Sequence, residues 1–401
     1  MVHGGRALAR LEDGRVALIA GALPGERVVA DVAPRAGVLQ GTVSEVLDAS
    51  PDRVPAPAHP GLDLGFVGYD AQLLLKAEVL QDAARRARLE LPEDASTVVS
   101  SPDVWAYRSA VQPAVRDGQL GYRREGGREI VLLDEDPTAM PSVAAAWRRL
   151  AAAGLPRSVQ EVAIRGNERG EALVALVATA PAAALLDLAH GLTGDAIAGV
   201  ALAPHDPRGR FRSGKERLAG ARFLLQRYGD VELSVSATAF AQPNPVAAGV
   251  AFRDLAELAP GGARAVDLFA GGGAIAFHLA PRYDEVVAVE VASESVARGR
   301  RDARRLGLDG VRFERVDAKR FELPKAGTIV VDPPRAGLAN ELRTRIDATG
   351  ASSLLYLSCD VATWARDAAD FVARGWRLRT VRPYDFQPHT HHLEVLSAFE
   401  R

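Results

Sequence analysis

The hydrophobic and polar positions of this 401-residue chain change their spacing twice, and the changes divide the sequence into three parts. In residues 1–48, short runs of alternating apolar and polar residues are separated by glycine and proline, which is typical of strands joined by turns. Residues 51–60 are rich in proline and alanine, the composition of a linker. We therefore expect a small, OB-like β-barrel over residues 1–48.

The middle part, residues 49–235, predicts a mixed α+β domain. A helical period over residues 72–89 places five apolar side chains on one face: Leu73, Leu74, Ala77, Leu80 and Ala84. Residues 100–235 alternate apolar and polar positions between loops, which indicates a strand-rich region. We expect the helix over 72–89 to pack on the domain that follows.

Residues 236–401 alternate predicted strands with predicted helices. Strands are expected at 263–269, 285–290, 328–332, 354–359, 376–382 and 392–399, and helices at 274–280, 293–306 and 361–373. Strands separated by helices predict an α/β fold with a doubly wound parallel sheet. The last two strands have no helix between them, so the final strand should be antiparallel.

Cys359 is the only cysteine of the chain, and it ends the apolar run at 354–359. That position is the carboxyl edge of the predicted sheet, where open α/β folds bind their ligands. A lone cysteine is more often an inert buried side chain than a nucleophile, and this residue alone leaves both interpretations open. A single cysteine excludes a disulfide framework and any cluster held by several thiolates.

A glycine-rich turn indicates a cofactor site. The run from Asp267 to Gly273 takes a strand into glycines and then a helix, and such a turn lets backbone approach a ligand closely. Glu290 ends the next strand, 19 positions after Gly271, where a carboxylate can bind ribose hydroxyls. The pattern fits both a nicotinamide dinucleotide and S-adenosylmethionine, and a turn that binds no ligand is the alternative.

Two further carboxylates belong to the same predicted edge. Asp332 opens the stiff segment Asp332-Pro-Pro, and Glu394 stands near the start of the last strand. If that strand is antiparallel, Asp332, Cys359, Glu290 and Glu394 meet at one edge. The alternatives are a plain strand-ending turn and an exposed carboxylate. Histidines at 389, 391 and 392 lack partners at metal-ligand spacing, so we expect loop histidines and no metal.

Charge and hydropathy narrow the class of protein. The formal net charge of −2 gives no overall signal for nucleic acid or membrane, and no apolar run reaches about 18 residues. The amino terminus lacks the apolar core of a signal peptide. We expect a cytoplasmic monomer that binds no membrane. Cationic residues concentrate at 208–217 and 298–305, where contact with phosphates and ordinary solvated surface both fit.

Taken together, these motifs resemble those of the RNA (uracil-5-)-methyltransferases over nearly the whole chain. That family combines an N-terminal TRAM barrel with a Rossmann-like class I methyltransferase domain. The resemblance is carried by His3-Gly-Gly-Arg, Phe240-Ala-Gln-Pro-Asn-Pro, Asp267-Leu-Phe-Ala-Gly-Gly-Gly, Asp332-Pro-Pro-Arg-Ala-Gly, Ser358-Cys-Asp and Pro388-His-Thr-His-His-Leu-Glu. It implies a TRAM-like barrel at 1–48, an RNA-binding central domain at 49–235 and a methyltransferase domain at 236–401.

The resemblance also implies roles for particular residues. Cys359 would be the nucleophile and Glu394 the proton acceptor in methylation of carbon 5 of a uridine, with ribosomal RNA favoured over transfer RNA as the substrate. S-adenosyl-L-methionine would be bound by Gln242, Phe269, Glu290, Asp317 and Asp332, together with Gly271 of the glycine-rich turn. A thiolate must form at neutral pH, so electropositive surroundings are expected for the thiol.

Two departures from the family pattern affect these expectations. Asp136-Pro137 stands where a Cys-Pro holding an iron–sulfur cluster is common in the family, so no such cluster is expected. Asp360 replaces the usual asparagine after the nucleophile, and its charge should raise the pKa of Cys359. A catalytically inactive RNA-binding homologue therefore remains an alternative, and an NAD-linked oxidoreductase that makes no use of Cys359 is another.

Overall fold

The computed structural model of the protein describes residues 1–35, 37–204 and 216–401. These residues fall into two units: the first combines residues 1–101 with residues 332–401, and the second spans residues 102–331. The division into three domains at residues 48 and 235 stays a prediction.

The N-terminal part of unit one is a four-stranded sheet. Its strands are β1 (Ala7–Arg10), β2 (Val16–Ala20), β3 (Arg27–Arg35) and β4 (Val38–Asp48). They lie in the order β1-β2-β4-β3, with a parallel β2–β4 pair and antiparallel pairs at either side. Ala17 and Ile19 alternate with more exposed neighbours and form a small core with Ala7 and Ala22. The strands expected over residues 1–48 are therefore present, as β1 to β4.

Helix α1 (Tyr69–Arg86) begins three residues before the predicted helix, and its buried face agrees only in part with the predicted one. Ala77, Leu80 and Ala84 are buried as expected, but Leu74 is 69% exposed. The buried positions that the apolar pattern missed are polar: Gln72 and Lys76.

Unit two contains an eight-stranded sheet, one hairpin and four parallel strands. The sheet is formed by β5 (Ala110–Val111), β6 (Ala114–Arg116), β7 (Gln119–Arg123), β8 (Ile130–Leu132), β9 (Val159–Gly166), β10 (Ala172–Ala178), β11 (Ile197–Pro204) and β12 (Glu216–Gly220). Its order is β12-β11-β10-β9-β6-β7-β8, and β5 pairs with β9. Helices α2 (Pro141–Ala153) and α3 (Leu186–Leu192) contribute Trp147, Leu150 and Leu192 to its core. The strand-rich middle region predicted from the sequence is therefore present.

The remainder of unit two has the expected strand–helix alternation. After the hairpin of β13 (Leu224–Tyr228) and β14 (Val231–Val235) come α4 (Pro245–Leu258), β15 (Gly262–Leu268), α5 (Ala274–Leu279), β16 (Tyr283–Glu290), α6 (Ser293–Arg305), β17 (Val311–Arg315) and β18 (Thr328–Val331). Strands β15 to β18 are parallel and lie in the order β17-β16-β15-β18. Their apolar side chains are almost fully buried, as expected of parallel strands covered by helices.

The C-terminal part of unit one continues with α7 (Asn340–Ala348), β19 (Ser353–Ser358), α8 (Val361–Ala373), β20 (Arg377–Tyr384) and β21 (Glu394–Glu400). Strand β21 lies between β19 and β20 and is antiparallel to both. The predicted antiparallel final strand is confirmed. Trp364 and Phe371 of α8 and Phe399 of β21 are fully buried, so this part has a substantial apolar core.

Candidate active site

Three of the predicted site residues of unit one come together at the ends of its strands. Cys359 directly follows β19, and Glu394 is the first residue of β21. The antiparallel register pairs Ser358 with Val395, which brings Glu394 beside Cys359. Asp332, the first residue of the second stretch of unit one, is close enough to act electrostatically on both.

Glu394 is a carboxyl group in apolar surroundings. It is only 4% exposed, and its Oε2 atom has no hydrogen-bond partner among the described residues. Burial and the neighbouring Asp332 raise the pKa of Glu394 to about 8, against a smaller opposing effect of Arg335. Burial likewise raises the pKa of Asp332 to about 7. Both groups can therefore exchange protons near neutral pH.

The surroundings of Cys359 are not the electropositive ones expected from the sequence. The half-buried thiol has its pKa raised to about 12, first by burial and then by Glu394 and Asp332. Arg335 is the nearby cation that opposes this effect. The expectation was wrong because the strand ends that place the thiol also place two carboxyl groups against it. The sulfur is a protonated thiol in the free protein at neutral pH.

Asp360 also differs from expectation. Its Oδ1 atom accepts a hydrogen bond from the backbone N–H of Thr363 at 2.8 Å and caps α8, while Oδ2 lies 3.3 Å from Nε2 of His3. Burial alone would raise the pKa of Asp360, but these hydrogen bonds outweigh it and lower that pKa to about 2. The charge of Asp360 is engaged with His3 and the helix, and the neighbours that chiefly raise the pKa of Cys359 are Glu394 and Asp332.

The thiol opens into a small polar pocket of unit one. The lining residues are His3, Arg335, Cys359, Asp360, Val361, His391, His392 and Leu393. Nη2 of Arg335 is 3.2 Å from Nε2 of His392, and Nδ1 of His391 is 2.6 Å from Oδ2 of Asp63. The sequence did not predict Arg335 or His3 as site residues. No spacing rule connects residue 3 with residue 359.

In unit two, the glycine-rich turn has the backbone geometry of a ligand-binding loop. Phe269 has a φ of +65°, a left-handed conformation that few residues other than glycine adopt, and Gly271 has a φ of +55°. A Cβ atom on Gly271 or Gly272 would meet nothing within 4 Å. The backbone of this turn is thus open to an approaching molecule. This openness fits a cofactor held against main-chain atoms.

Glu290 is fixed at the carboxyl end of β16. Its Oε2 accepts a hydrogen bond from the N–H of Gly271 at 3.0 Å, and its Oε1 accepts one from the N–H of Ala292 at 2.7 Å. Each carboxylate oxygen has a second lone pair for a further donor. Asp317 lies two residues beyond the end of the adjacent strand β17 and is exposed. The structure therefore places Gly271, Glu290 and Asp317 at one edge of the four parallel strands.

Gln242 lies in the segment that leads into α4. Its carbonyl accepts a hydrogen bond from the hydroxyl of Tyr228 at 3.1 Å, and Asn244 caps α4 through the N–H of Ala247. The main chain around Gln242 is therefore held in place while its side chain is partly exposed.

Of the two cationic segments predicted from the sequence, only the one on α6 lies fully within the described residues. Arg298 of α6 is buried and donates to the carbonyl of Ser234, and Arg300 donates to the carbonyl of Phe313, so neither belongs to a free cationic surface. The loop at 208–217 lies, apart from its last two residues, outside the described residues. Among the described residues, no group of three metal-ligating side chains is found. The helices described also include none with the length and apolar character needed to cross a bilayer.

The known proteins that this chain resembles in sequence are RNA methyltransferases. Residues 307–400 match the family described as tRNA (uracil-5-)-methyltransferase. The chain is 32% identical to the 23S rRNA (uracil(1939)-C(5))-methyltransferase RlmD of Pseudomonas entomophila, over 99% of this chain and 91% of the relative. It is 33% identical to RlmD of Alkalilimnicola ehrlichii, over 100% of this chain and 94% of the relative. An RNA methyltransferase of Streptomyces avermitilis is 31% identical, over 100% and 96%.

A solved structure supports the same fold. The tRNA (uracil-54, C5)-methyltransferase of Pyrococcus abyssi, in complex with S-adenosyl-L-homocysteine, superposes with a TM-score of 0.80. The match covers 98% of this chain and 100% of that chain at 24% sequence identity. This likeness concerns the fold.

Proposed function

This chain belongs to the RNA (uracil-5-)-methyltransferase family, and from that membership we propose that it methylates carbon 5 of a uridine in ribosomal RNA through a transient bond between Cys359 and the base. The observation that carries the proposal is the placement of Cys359 beside the buried carboxyl group of Glu394. A nucleophile and a proton acceptor side by side are what this reaction requires.

The residue types follow from the chemistry of uracil. Carbon 5 is a poor nucleophile. Once the half-buried Cys359 thiol has lost its proton to solvent, addition of the thiolate to carbon 6 converts the ring to an enolate whose carbon 5 can attack an electrophilic methyl group. The proton on carbon 5 must then leave, and the carboxylate of Glu394 accepts it. Breakage of the carbon–sulfur bond restores the double bond and frees the thiolate. The target base must leave its stack to reach the thiol.

The residues of unit two fit S-adenosyl-L-methionine. When bound, this cofactor supplies the electrophilic methyl group. We propose that the carboxylates of Glu290 and Asp317 bind its hydroxyl groups and that the open backbone at Gly271 lies against it. Phe269 and Gln242 complete the proposed binding set of unit two, and Asp332, which the family resemblance also assigns to the cofactor, belongs to unit one.

The pKa of Glu394 suits the proton-transfer step. An acceptor with a pKa of about 8 holds the proton from carbon 5 firmly at neutral pH and can still release it for the next turnover. The same pKa means that much of the free enzyme carries a protonated Glu394 at pH 7. We therefore expect activity to rise between pH 6 and 9.

Ribosomal RNA is the proposed substrate because full-length relatives carry that activity in their names. The solved relative acts on transfer RNA but is less similar in sequence. Both proposed catalytic groups come from one chain, so the proposed functional form is a monomer acting on ribosomal RNA in the cytoplasm.

The test is transfer of radiolabelled methyl groups from S-adenosyl-L-methionine to RNA lacking the modification. Ribosomal and transfer RNA are purified from a strain without the gene and supplied separately. We expect label in ribosomal RNA as 5-methyluridine. We expect Cys359→Ala to abolish transfer while it leaves the Kd for the cofactor within about twofold of wild type, since its loss removes only the nucleophile.

The other outcomes of the methyl-transfer assay would change the substrate, the mechanism or the activity assigned to the protein. Label in transfer RNA alone would mean that the reaction is the proposed one but that its substrate is transfer RNA and not ribosomal RNA. Full transfer by Cys359→Ala would exclude the covalent route. If wild-type protein binds RNA but transfers no label to either RNA, the chain is an RNA-binding homologue without activity.

A further inference from the structure

The first residues of the chain form part of the wall of the Cys359 pocket. His3 lines the pocket together with Cys359 and Asp360, and its Nε2 atom lies 3.3 Å from Oδ2 of Asp360. The His3 side chain is 47% exposed, so it remains accessible from the pocket. A side chain of the N-terminal sheet region thus stands beside the proposed nucleophile.

Two glycines make this placement possible. Gly4 and Gly5 have φ values of +91° and +72°, and a Cβ atom on Gly5 would collide with Asp63 and come within 2.9 Å of Cβ of His391. Asp63 in turn accepts a hydrogen bond from the N–H of His391 at 3.2 Å. The tight turn after His3 therefore packs directly on the loop between β20 and β21, which fixes the position of the imidazole.

The charged groups around His3 favour its cationic form. The hydrogen bond and the charge of Asp360 raise the pKa of His3, against the opposing effects of burial and of Arg335. His391 packs edge-on to His3 at 6.5 Å between ring centroids, and it is itself held by Asp63. Asp360 engages Nε2, so Nδ1 is the ring nitrogen of His3 that is left to meet a ligand. In the protonated ring, Nδ1 carries an N–H that is available to a ligand.

We propose that His3 binds a phosphodiester group of the RNA at or next to the target uridine, with Nδ1–H donating to a phosphate oxygen while Asp360 holds Nε2. The inference rests on the proposed function, because it assumes that the base enters this pocket. An anionic ligand suits the site because Arg335 and His392 line the same pocket. His3 is then a substrate-binding residue supplied from outside the methyltransferase sheet.

The test compares His3→Ala, His3→Lys and a control, His190→Ala, which removes an exposed histidine of α3 in unit two. Loss of one charge-assisted phosphate contact should raise the KM for RNA about fivefold to tenfold and leave kcat nearly unchanged. His3→Lys should restore most of the affinity, since it keeps a cation. His190→Ala should match wild type.

Salt dependence gives a readout that a purely structural role would not change. The slope of log Kd against log salt should become shallower by about 0.7 in His3→Ala, the value for one phosphate contact on single-stranded RNA. An unchanged KM and slope would overturn the proposal. So would a loss of kcat and thermal stability that His3→Lys does not restore, because His3 would then act only on the fold. RNA binding is measured without turnover, so the result stands even if methyl transfer fails.

Discussion

The carboxyl group of Glu394 is held neutral by its position, and this has consequences for catalysis. With little exposure and one oxygen without a hydrogen-bond partner among the described residues, the ionised form has lost its hydration without full compensation. Asp332 adds repulsion, and the pKa reaches about 8. A negative charge on Glu394 would also oppose ionisation of Cys359. The two groups are coupled, so proton transfer to Glu394 relieves the repulsion against a departing thiolate.

We predict that Glu394→Gln traps a covalent protein–RNA adduct. The amide retains the shape of the side chain but cannot accept the proton from carbon 5, so the carbon–sulfur bond formed by Cys359 persists after methyl transfer. The measurement is a band of reduced mobility on denaturing gels, which needs both RNA and S-adenosyl-L-methionine. The double variant Glu394→Gln/Cys359→Ala should give no band. Normal turnover by Glu394→Gln would remove this carboxylate from the mechanism.

The same pKa predicts how stability depends on pH. The ordinary pKa of a glutamate is about 4.5 and that of folded Glu394 about 8, so the folded protein keeps a proton that the unfolded chain releases between these values. This contribution to stability is complete below pH 4.5 and is lost as pH rises through about 8. The Tm of Glu394→Gln should therefore fall less than that of wild type between pH 5 and pH 9. Differential scanning calorimetry measures the difference.

Glu400→Gln is the matched control for that experiment, because it makes the same change at the exposed end of the same strand, β21. Its Tm should follow the wild-type pH dependence. Asp332, with a pKa raised to about 7, contributes in the same direction, so Glu394→Gln should reduce the decline without abolishing it. Parallel curves for wild type and Glu394→Gln would show that Glu394 ionises normally in the folded protein.

At the residue scale, the sequence predicts which candidate residues lie together but not their electrostatics. Cys359 and Glu394 could be named because strand ends and an antiparallel final strand place them at one edge. The pKa values depend on burial and on distances between side chains, which spacing does not give. His3 could not be found at all, since its position depends on how the N-terminal turn packs on the loop between β20 and β21.

At the scale of elements, α1 shows why an apolar pattern can mislead. The helix directs Lys76 and Gln72 inward, where Nζ of Lys76 donates to Oδ1 of Asp385 at 2.7 Å and the N–H of His389 donates to Oε1 of Gln72 at 2.8 Å. Asp385 and His389 lie in the loop that leads to Glu394. The helix buries the face that carries Gln72 and Lys76 against this polar loop, and Leu74 therefore lies on the exposed side. Periodicity counts apolar residues and cannot recognise a buried ion pair.

We predict that Lys76→Met destabilises the protein by about 3–5 kcal/mol, the usual cost of leaving one partner of a buried ion pair without its counter-charge. Lys76 is 2% exposed and Asp385 is fully buried. The double variant Lys76→Met/Asp385→Asn should recover part of the loss, because it removes the isolated charge. Urea unfolding followed by circular dichroism measures the free energy of unfolding.

Arg86→Met is the control for Lys76→Met on the same helix. Arg86 pairs with Asp82 at 2.8 Å, but the arginine is largely exposed, and such pairs contribute about 0–1 kcal/mol. If both substitutions lower the free energy of unfolding equally, burial does not increase the contribution of the Lys76–Asp385 pair to stability.

Element boundaries were predictable where local signals and burial agree. Helix α8 has the predicted bounds, since Asp360 caps it and Trp364, Ala368 and Phe371 recur at helical spacing on its buried face. Helices α2, α3, α4 and α7 and strand β17 were not predicted. Of these, α7 and β17 are short, and α7 buries little more than Leu342, Arg343 and Ile346, so its pattern is weak in the sequence. Short elements are stabilised by tertiary packing that periodicity cannot reveal.

At the scale of the whole molecule, the net charge does not favour RNA binding, although the chain belongs to a family of enzymes that act on RNA. The chain carries 49 basic and 51 acidic side chains, so its net charge gives no general attraction for a polyanion. Many of the arginines described are engaged within the protein, as Arg298 and Arg343 are. Among the described residues, affinity is therefore expected from a few local contacts and from recognition of the unstacked base.

The balanced charge of the chain predicts a weak salt dependence for RNA binding. If about three phosphates are contacted, the slope of log K against log salt should be about −2, since each contact on single-stranded RNA contributes about −0.7. Filter binding of a ribosomal RNA fragment between 50 and 300 mM salt measures the slope, with Cys359→Ala used to prevent turnover. A slope steeper than about −6 would require some nine contacts. An extended cationic surface would then be the main source of affinity, in place of the pocket around His3 and Arg335.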